Sequence, residues 1–117
     1  MSDLLDLTIL EGRKILGRSF LEVLFEKFSI EAPKIIGEMK ALHQGGQTAA
    51  FSDKAHLFKG LAANFGAIKV TQFCQELQVN PESEQFQDTE AWVLQLTALV
   101  EETGAEIKNF INQLDLD

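Results

Sequence analysis

Cysteine, proline and tyrosine are scarce in this chain, which excludes an internal disulfide and disfavours a strand-rich fold. Cys74 is the only cysteine among the 117 residues, so no disulfide can form within the chain. Two prolines and no tyrosine favour helix over strand. Two histidines and one cysteine without a compact ligand spacing predict that the protein holds no metal ion.

Long apolar runs and clusters of positive charge are also missing. No apolar run approaches the roughly eighteen residues that suggest a membrane-spanning helix. Asp3, Asp6 and Glu11 interrupt the apolar positions of the first turns, so we expect no export signal and a cytoplasmic protein. The net charge of -8 disfavours nucleic acid and membranes as partners, because both attract clustered lysine and arginine.

The composition that remains is that of one compact soluble domain. Hydrophobic residues make up 45% of the chain and charged residues 24%, as in ordinary globular proteins. A length of 117 residues suits one hydrophobic core, and no internal repeat is visible. We therefore expect a single domain over residues 1–117.

The first half of the chain predicts a short helix followed by a long one. Thr8 and Glu11 have the spacing of a capping box, and this short helix should end near Gly17. From Arg18 to about His43 apolar residues recur at helical spacing. Pro33 should kink this helix rather than end it, because the apolar stripe resumes in phase.

The second half predicts three more helices. The paired glycines of residues 44–47 indicate a turn, after which a helix runs from Thr48 to Phe65 with Gly66 as its left-handed cap. Another helix ends at Asn80, before Pro81, and the last and longest should span 88–114. The chain is thus expected to be all-α, an antiparallel four-helix bundle with a short additional N-terminal helix.

A basic, accessible histidine stands out against the acidic background. Residues 48–73 contain three lysines and one aspartate. At about 100° per residue, His56 lies about 200° from Phe58, so it faces away from the buried side of its helix. Lys59, Gly60 and Ala63 follow at three, four and seven positions and share its face. Glycine is costly inside a helix, so Gly60 indicates the close approach of a partner or of another helix.

The segment from His56 to Ala67, HLFKGLAANFGA, resembles the signature of histidine-containing phosphotransfer domains of two-component phosphorelays. The match comprises a histidine, a lysine and glycine three and four residues later, a stretch of small residues, a further glycine and a downstream helix that reaches Leu77. The order of helices extends the resemblance over nearly the whole chain. The sequence departs from the family at Leu61 and Ala62, where members often place serine or another small polar residue.

The resemblance implies roles for several residues in and around this segment. His56 would be the phosphorylated nucleophile, and Lys59 would stabilise the charge of the phosphoryl group. Gln78, twenty-two positions after His56, would orient the imidazole, with Gln75 as the local alternative. A partner would contact Gly60, Ala63, Asn64, Leu57 and Phe51, although the apolar members of this set fit the core as well. His43, near a helix end, is interpreted as structural.

The implied function is that of a phosphorelay intermediate, which shuttles a phosphoryl group between aspartates of receiver domains in response regulators and hybrid sensor kinases. Such a chain is a phosphocarrier rather than an ATP-dependent kinase. It would bind no cofactor itself, and Mg²⁺ would belong to the receiver partner. We expect a monomer, and the initial Met and compact length favour a free-standing protein. The alternative is a four-helix docking module that binds receivers or kinases without carrying phosphate.

Overall fold

A computed structural model describes residues 3–114, and helices with short connections make up nearly all of this range. The five α-helices are α1 (Leu7–Arg13), α2 (Arg18–Gln44), α3 (Thr48–Ala63), α4 (Ile68–Val79) and α5 (Thr89–Asn112). Short 3-10 turns occupy Lys14–Leu16 and Glu84–Phe86. Residues 3–114 contain no β-strand, and the prediction of an all-α chain is confirmed.

The N-terminal helix begins differently from the prediction. The side chain of Asp6, not that of Thr8, caps α1, and it accepts a hydrogen bond from the backbone N–H of Thr8 at 3.0 Å. Glu11 instead pairs with Lys14 at 2.8 Å. The capping box of Thr8 and Glu11 was therefore a wrong prediction, because an aspartate two residues earlier already satisfies the free donor.

Helix α2 continues through Pro33 without a break, as the in-phase apolar stripe predicted. Pro33 is exposed, so its ring projects away from the core. The helix is 27 residues long, against 24 for α5. The expectation that the last helix is the longest was wrong, because α2 continues through Pro33 to Gln44 while α5 spans only Thr89–Asn112.

The link between α3 and α4 depends on a glycine in the left-handed region. Gly66 has a φ of +66°, which confirms the predicted glycine cap, although α3 itself ends at Ala63. The backbone N–H of Asp6 donates to the carbonyl of Gly66 at 2.6 Å. A Cβ at position 66 would lie 2.6 Å from the carbonyl oxygen of Asp6. The N-terminal segment therefore packs directly onto this link, and only glycine leaves room for it.

The four long helices form a closed ring around one core, as expected for the predicted bundle. α2 packs against α3 and α5, and α4 packs against the same two helices. Trp92, Phe51, Phe58 and Leu77 are among its fully buried side chains, and Leu10 adds a contribution from α1. None of the helices in the described range combines the length and apolar character that a membrane crossing requires.

Candidate functional site

Helix α3 presents His56 to solvent while the other side of the helix enters the core. Ala55, Phe58 and Ala62 are buried, whereas His56 is exposed. The structure thus places the imidazole as the helical geometry predicted. Its position in mid-helix fixes the backbone, so only the side-chain torsions of His56 determine where the ring points.

A glutamine of α4 contacts the imidazole of His56. The side-chain oxygen Oε1 of Gln78 lies 3.3 Å from Nδ1 of His56. An amide oxygen can only accept, so this contact is a hydrogen bond when the proton of the neutral ring is on Nδ1. In that tautomer the lone pair of Nε2 is free. The structure thus brings Gln78, rather than Gln75, to the histidine.

Gln75 contacts the lysine instead. The ammonium Nζ of Lys59 donates to Oε1 of Gln75 at 2.7 Å. His56 and Lys59 are one turn apart on α3, and Gln78 and Gln75 are one turn apart on the antiparallel α4. The two hydrogen-bonded pairs therefore connect the helices at successive turns, across the groove between α3 and α4. Within residues 3–114 no carboxylate lies within ion-pair distance of Lys59, whereas Lys54 is paired with Glu38 at 3.1 Å.

Ser52 is a site residue that the sequence analysis missed. Its hydroxyl donates to the main-chain carbonyl oxygen of Gln78 at 3.0 Å. Gln78 lies in the last turn of α4, where the backbone carbonyl groups have no N–H donor within the helix. The hydroxyl of Ser52 supplies a donor to one of these carbonyl groups. The available signal was the position of Ser52 four residues before His56, on the same helical face. This bond fixes α4 against α3 beside the imidazole.

The proposed partner surface around His56 is open at most of the expected positions. Gly60, Ala63 and Asn64 are exposed, and Leu57 is 48% exposed. A Cβ built on Gly60 would meet no heavy atom within 4 Å. No neighbouring helix in the described range therefore requires a glycine there, and the surface of α3 is open at this position.

Phe51 does not belong to this surface, and its assignment to the partner contacts was wrong. It is only 1% exposed, and its ring packs between His43 and Trp92 at centroid distances of 5.3 and 5.4 Å. Phe51 precedes Phe58 by seven residues, or about 20° on a helix, so the buried stripe already included its position. His43 itself is half-buried and its Nδ1 lies 2.5 Å from Oγ1 of Thr89, which agrees with a structural role.

The buried thiol near the site is not a second nucleophile. Burial raises the pKa of Cys74 from 9.0 to about 12, and the positive charge of Lys59 lowers it only in part. The thiol therefore stays protonated around neutral pH. No group of three or more His, Cys, Asp or Glu side chains in the range 3–114 is placed to hold a metal ion.

Comparisons with known proteins identify the family and support the fold. The family model of the Hpt domain matches residues 23–113. Among solved structures, the chain is similar to histidine-containing phosphotransfer protein B (HptB) from Pseudomonas aeruginosa PAO1, with a TM-score of 0.82 and 22% sequence identity. That match covers 98% of this chain and 100% of the other. A search of curated protein sequences gives no match. The structural likeness supports the fold, and the family model covers most of the chain.

Proposed function

The chain belongs to the Hpt domain family, and from this premise we propose that His56 is the residue that carries the phosphoryl group. Membership makes the chain a histidine phosphotransfer protein of phosphorelay signalling. One observation supports His56 above all: the exposed ring has Gln78 on Nδ1 and Lys59 one turn away on the same face. The second histidine, His43, is half-buried among aromatic rings.

The proposed reaction is a direct transfer between an aspartyl phosphate of a receiver and Nε2 of His56. The lone pair of Nε2 attacks phosphorus, the bond from phosphorus to the aspartyl oxygen breaks, and the aspartate leaves as a carboxylate. The ring becomes positively charged as the new bond forms. The oxygen of Gln78 stabilises that charge through the Nδ1 proton, and the same steps in reverse donate the phosphoryl group.

Lys59 would neutralise part of the charge on the phosphoryl oxygens. An ammonium group one turn from the nucleophile can reach a group attached to Nε2, and ammonium to phosphoryl contacts are strong when water is partly excluded. A docked receiver would provide that exclusion by covering Gly60 and Ala63. Leu57 and Asn64 would lie at the edge of the same contact.

The catalytic machinery is assigned mainly to the partner. In this proposal receiver domains of response regulators and hybrid sensor kinases bring Mg²⁺ and the acidic pocket, while this chain supplies a positioned nucleophile. The chain is thus a phosphocarrier and has no ATP-dependent kinase activity of its own. A monomer suits this role, because successive partners must reach the same face of α3.

The test is phosphoryl uptake from a panel of phosphorylated receiver domains. Wild-type protein should acquire an acid-labile phosphoryl group that mass spectrometry maps to His56. The His56→Gln variant should acquire none, and His43→Gln serves as the matched control that retains uptake. Circular dichroism would establish that both variants fold.

Two results would contradict the proposal. Uptake that persists in His56→Gln would place the phosphoryl group elsewhere. Folded wild-type protein that binds receivers but never takes up phosphate would instead be a docking module without carrier activity.

A further inference from the structure

The two functional side chains of α3 are held by two different glutamines of α4. Gln78 contacts His56, and Gln75 accepts a hydrogen bond from Lys59 at 2.7 Å. The packing of α4 on α3, with the Ser52 bond to the backbone of Gln78, places Gln75 within reach of Lys59. In the unphosphorylated protein the ammonium group of Lys59 therefore already has a hydrogen-bond partner, which is on α4, whereas the nucleophile is on α3.

We propose that Gln75 is a positioning residue that holds Lys59 while His56 is free and releases it to the phosphoryl group when His56 is phosphorylated. The inference rests on the proposed function, because it needs a phosphoryl group on His56. It adds a role for Gln75 and an exchange of partners by Lys59. The exchange needs only rotation of the lysine side chain, since both helices stay in place.

The neutral charge of Gln75 makes such an exchange favourable. An ammonium group binds a neutral amide oxygen less strongly than it binds a phosphoryl group with two negative charges. Both Lys59 and Gln75 are accessible to water, so the existing bond opens at little cost. A carboxylate at position 75 would form an ion pair with Lys59 and compete with the phosphoryl group.

The amide also limits the freedom of Lys59 before transfer. A lysine side chain has four rotatable bonds and loses conformational entropy when it is fixed. Gln75 keeps the ammonium group in the groove between α3 and α4, within one helical turn of His56. Gln75 thus positions Lys59 for the phosphoryl group, and because its amide is uncharged it does not compete electrostatically with the phosphoryl group for the ammonium.

The experiment compares Gln75→Glu with the wild type, in the presence and absence of Lys59→Met. Phosphoramidate, a small donor, phosphorylates His56 directly, so no receiver is required. The lifetime of the phosphohistidine is followed by ³¹P nuclear magnetic resonance. We expect Gln75→Glu to shorten it by about twofold to fivefold, as expected for an exposed ion pair. In Lys59→Met the same change should have less than half of this effect.

A second readout separates positioning from general structure. In ¹⁵N-labelled wild-type protein, the side-chain amide resonances of Gln75 and the Nζ resonance of Lys59 should both shift on phosphorylation of His56. In Lys59→Met the amide shift of Gln75 should disappear. Gln72, exposed one turn from Gln75 on α4, provides a matched control through Gln72→Glu, which should leave the lifetime unchanged.

The outcomes distinguish this inference from the proposed function. If phosphoramidate does not label His56, the phosphoryl group is loaded from a phosphorylated receiver, and failure of both donors to label His56 would overturn both proposals. Labelled protein in which Gln75→Glu shortens the lifetime equally with and without Lys59 would overturn the exchange alone, because the added carboxylate would then act by direct repulsion. Resonances of Gln75 that do not respond to phosphorylation would also overturn it.

Discussion

Gly60 offers the sharpest test of whether the face around His56 is shaped for a partner rather than for the fold. It lies inside α3, is exposed and has no heavy atom within 4 Å of the position of a Cβ. Alanine at this site should raise the free energy of unfolding by about 0.5–1 kcal/mol, because glycine loses more backbone entropy in a helix. For a chain of this length the melting temperature should rise by about 2–4 °C.

The same methyl group should impair phosphotransfer. If a receiver packs closely against Gly60, an added methyl must displace atoms of a fitted interface, at a cost of about 1–3 kcal/mol. The second-order rate constant of transfer from a phosphorylated receiver should then fall by about fivefold to a hundredfold. Gly60→Ala should thus be more stable and less active than the wild type.

Gly37 supplies the matched control. It is exposed within α2, its Cβ would also meet nothing within 4 Å, and it lies in the groove between α2 and α5 on the other side of the bundle. Gly37→Ala should give a similar gain in thermal stability, measured by circular dichroism, with unchanged transfer. Normal transfer by Gly60→Ala would refute the close approach of a receiver at Gly60. A lower melting temperature would refute the argument that glycine destabilises α3 at this position.

Three further predictions concern the framework of the site. Gly66→Ala should destabilise the fold by several kcal/mol, about 2–4, because a methyl group would collide with the backbone of Asp6; unaltered denaturant midpoints would contradict this. Ser52→Ala should lower the free energy of unfolding by about 0.5–1.5 kcal/mol and slow phosphotransfer, because the backbone carbonyl of Gln78 loses its donor. Ser52→Thr keeps the hydroxyl and should retain both the stability and the transfer rate. A wild-type transfer rate in Ser52→Ala would show that Ser52 is not part of the site. Burial raises the pKa of the Cys74 thiol from 9.0 to about 12, so its contribution to stability is complete below pH 9 and is lost as the pH rises from 9 toward 12. Cys74→Ser should therefore show a shallower loss of stability in urea titrations over this range, and identical slopes would contradict the burial argument.

Most of the secondary structure follows from local features of the sequence. Glycines and prolines mark the turns at 44–47, Gly66 and Pro81, because their backbone preferences act within a few residues. The exposure of His56 follows from its angle to Phe58 on one helix, which needs no knowledge of the other helices. The buried position of Phe51 follows from the same periodicity and was misassigned.

The contacts across the groove between α3 and α4 required the tertiary structure. Gln75 and Gln78 are one turn apart on the same helix, and helical periodicity does not distinguish which of them meets His56, although the family resemblance favoured Gln78. The answer depends on the register of α4 against α3, which is set by packing of the core and by the Ser52 bond. The packing of the segment before α1 depends likewise on the hydrogen bond between the backbones of Asp6 and Gly66, which are sixty positions apart in the sequence. Helical periodicity alone thus determined the face that carries the nucleophile, and packing between helices decided which side chains hold it.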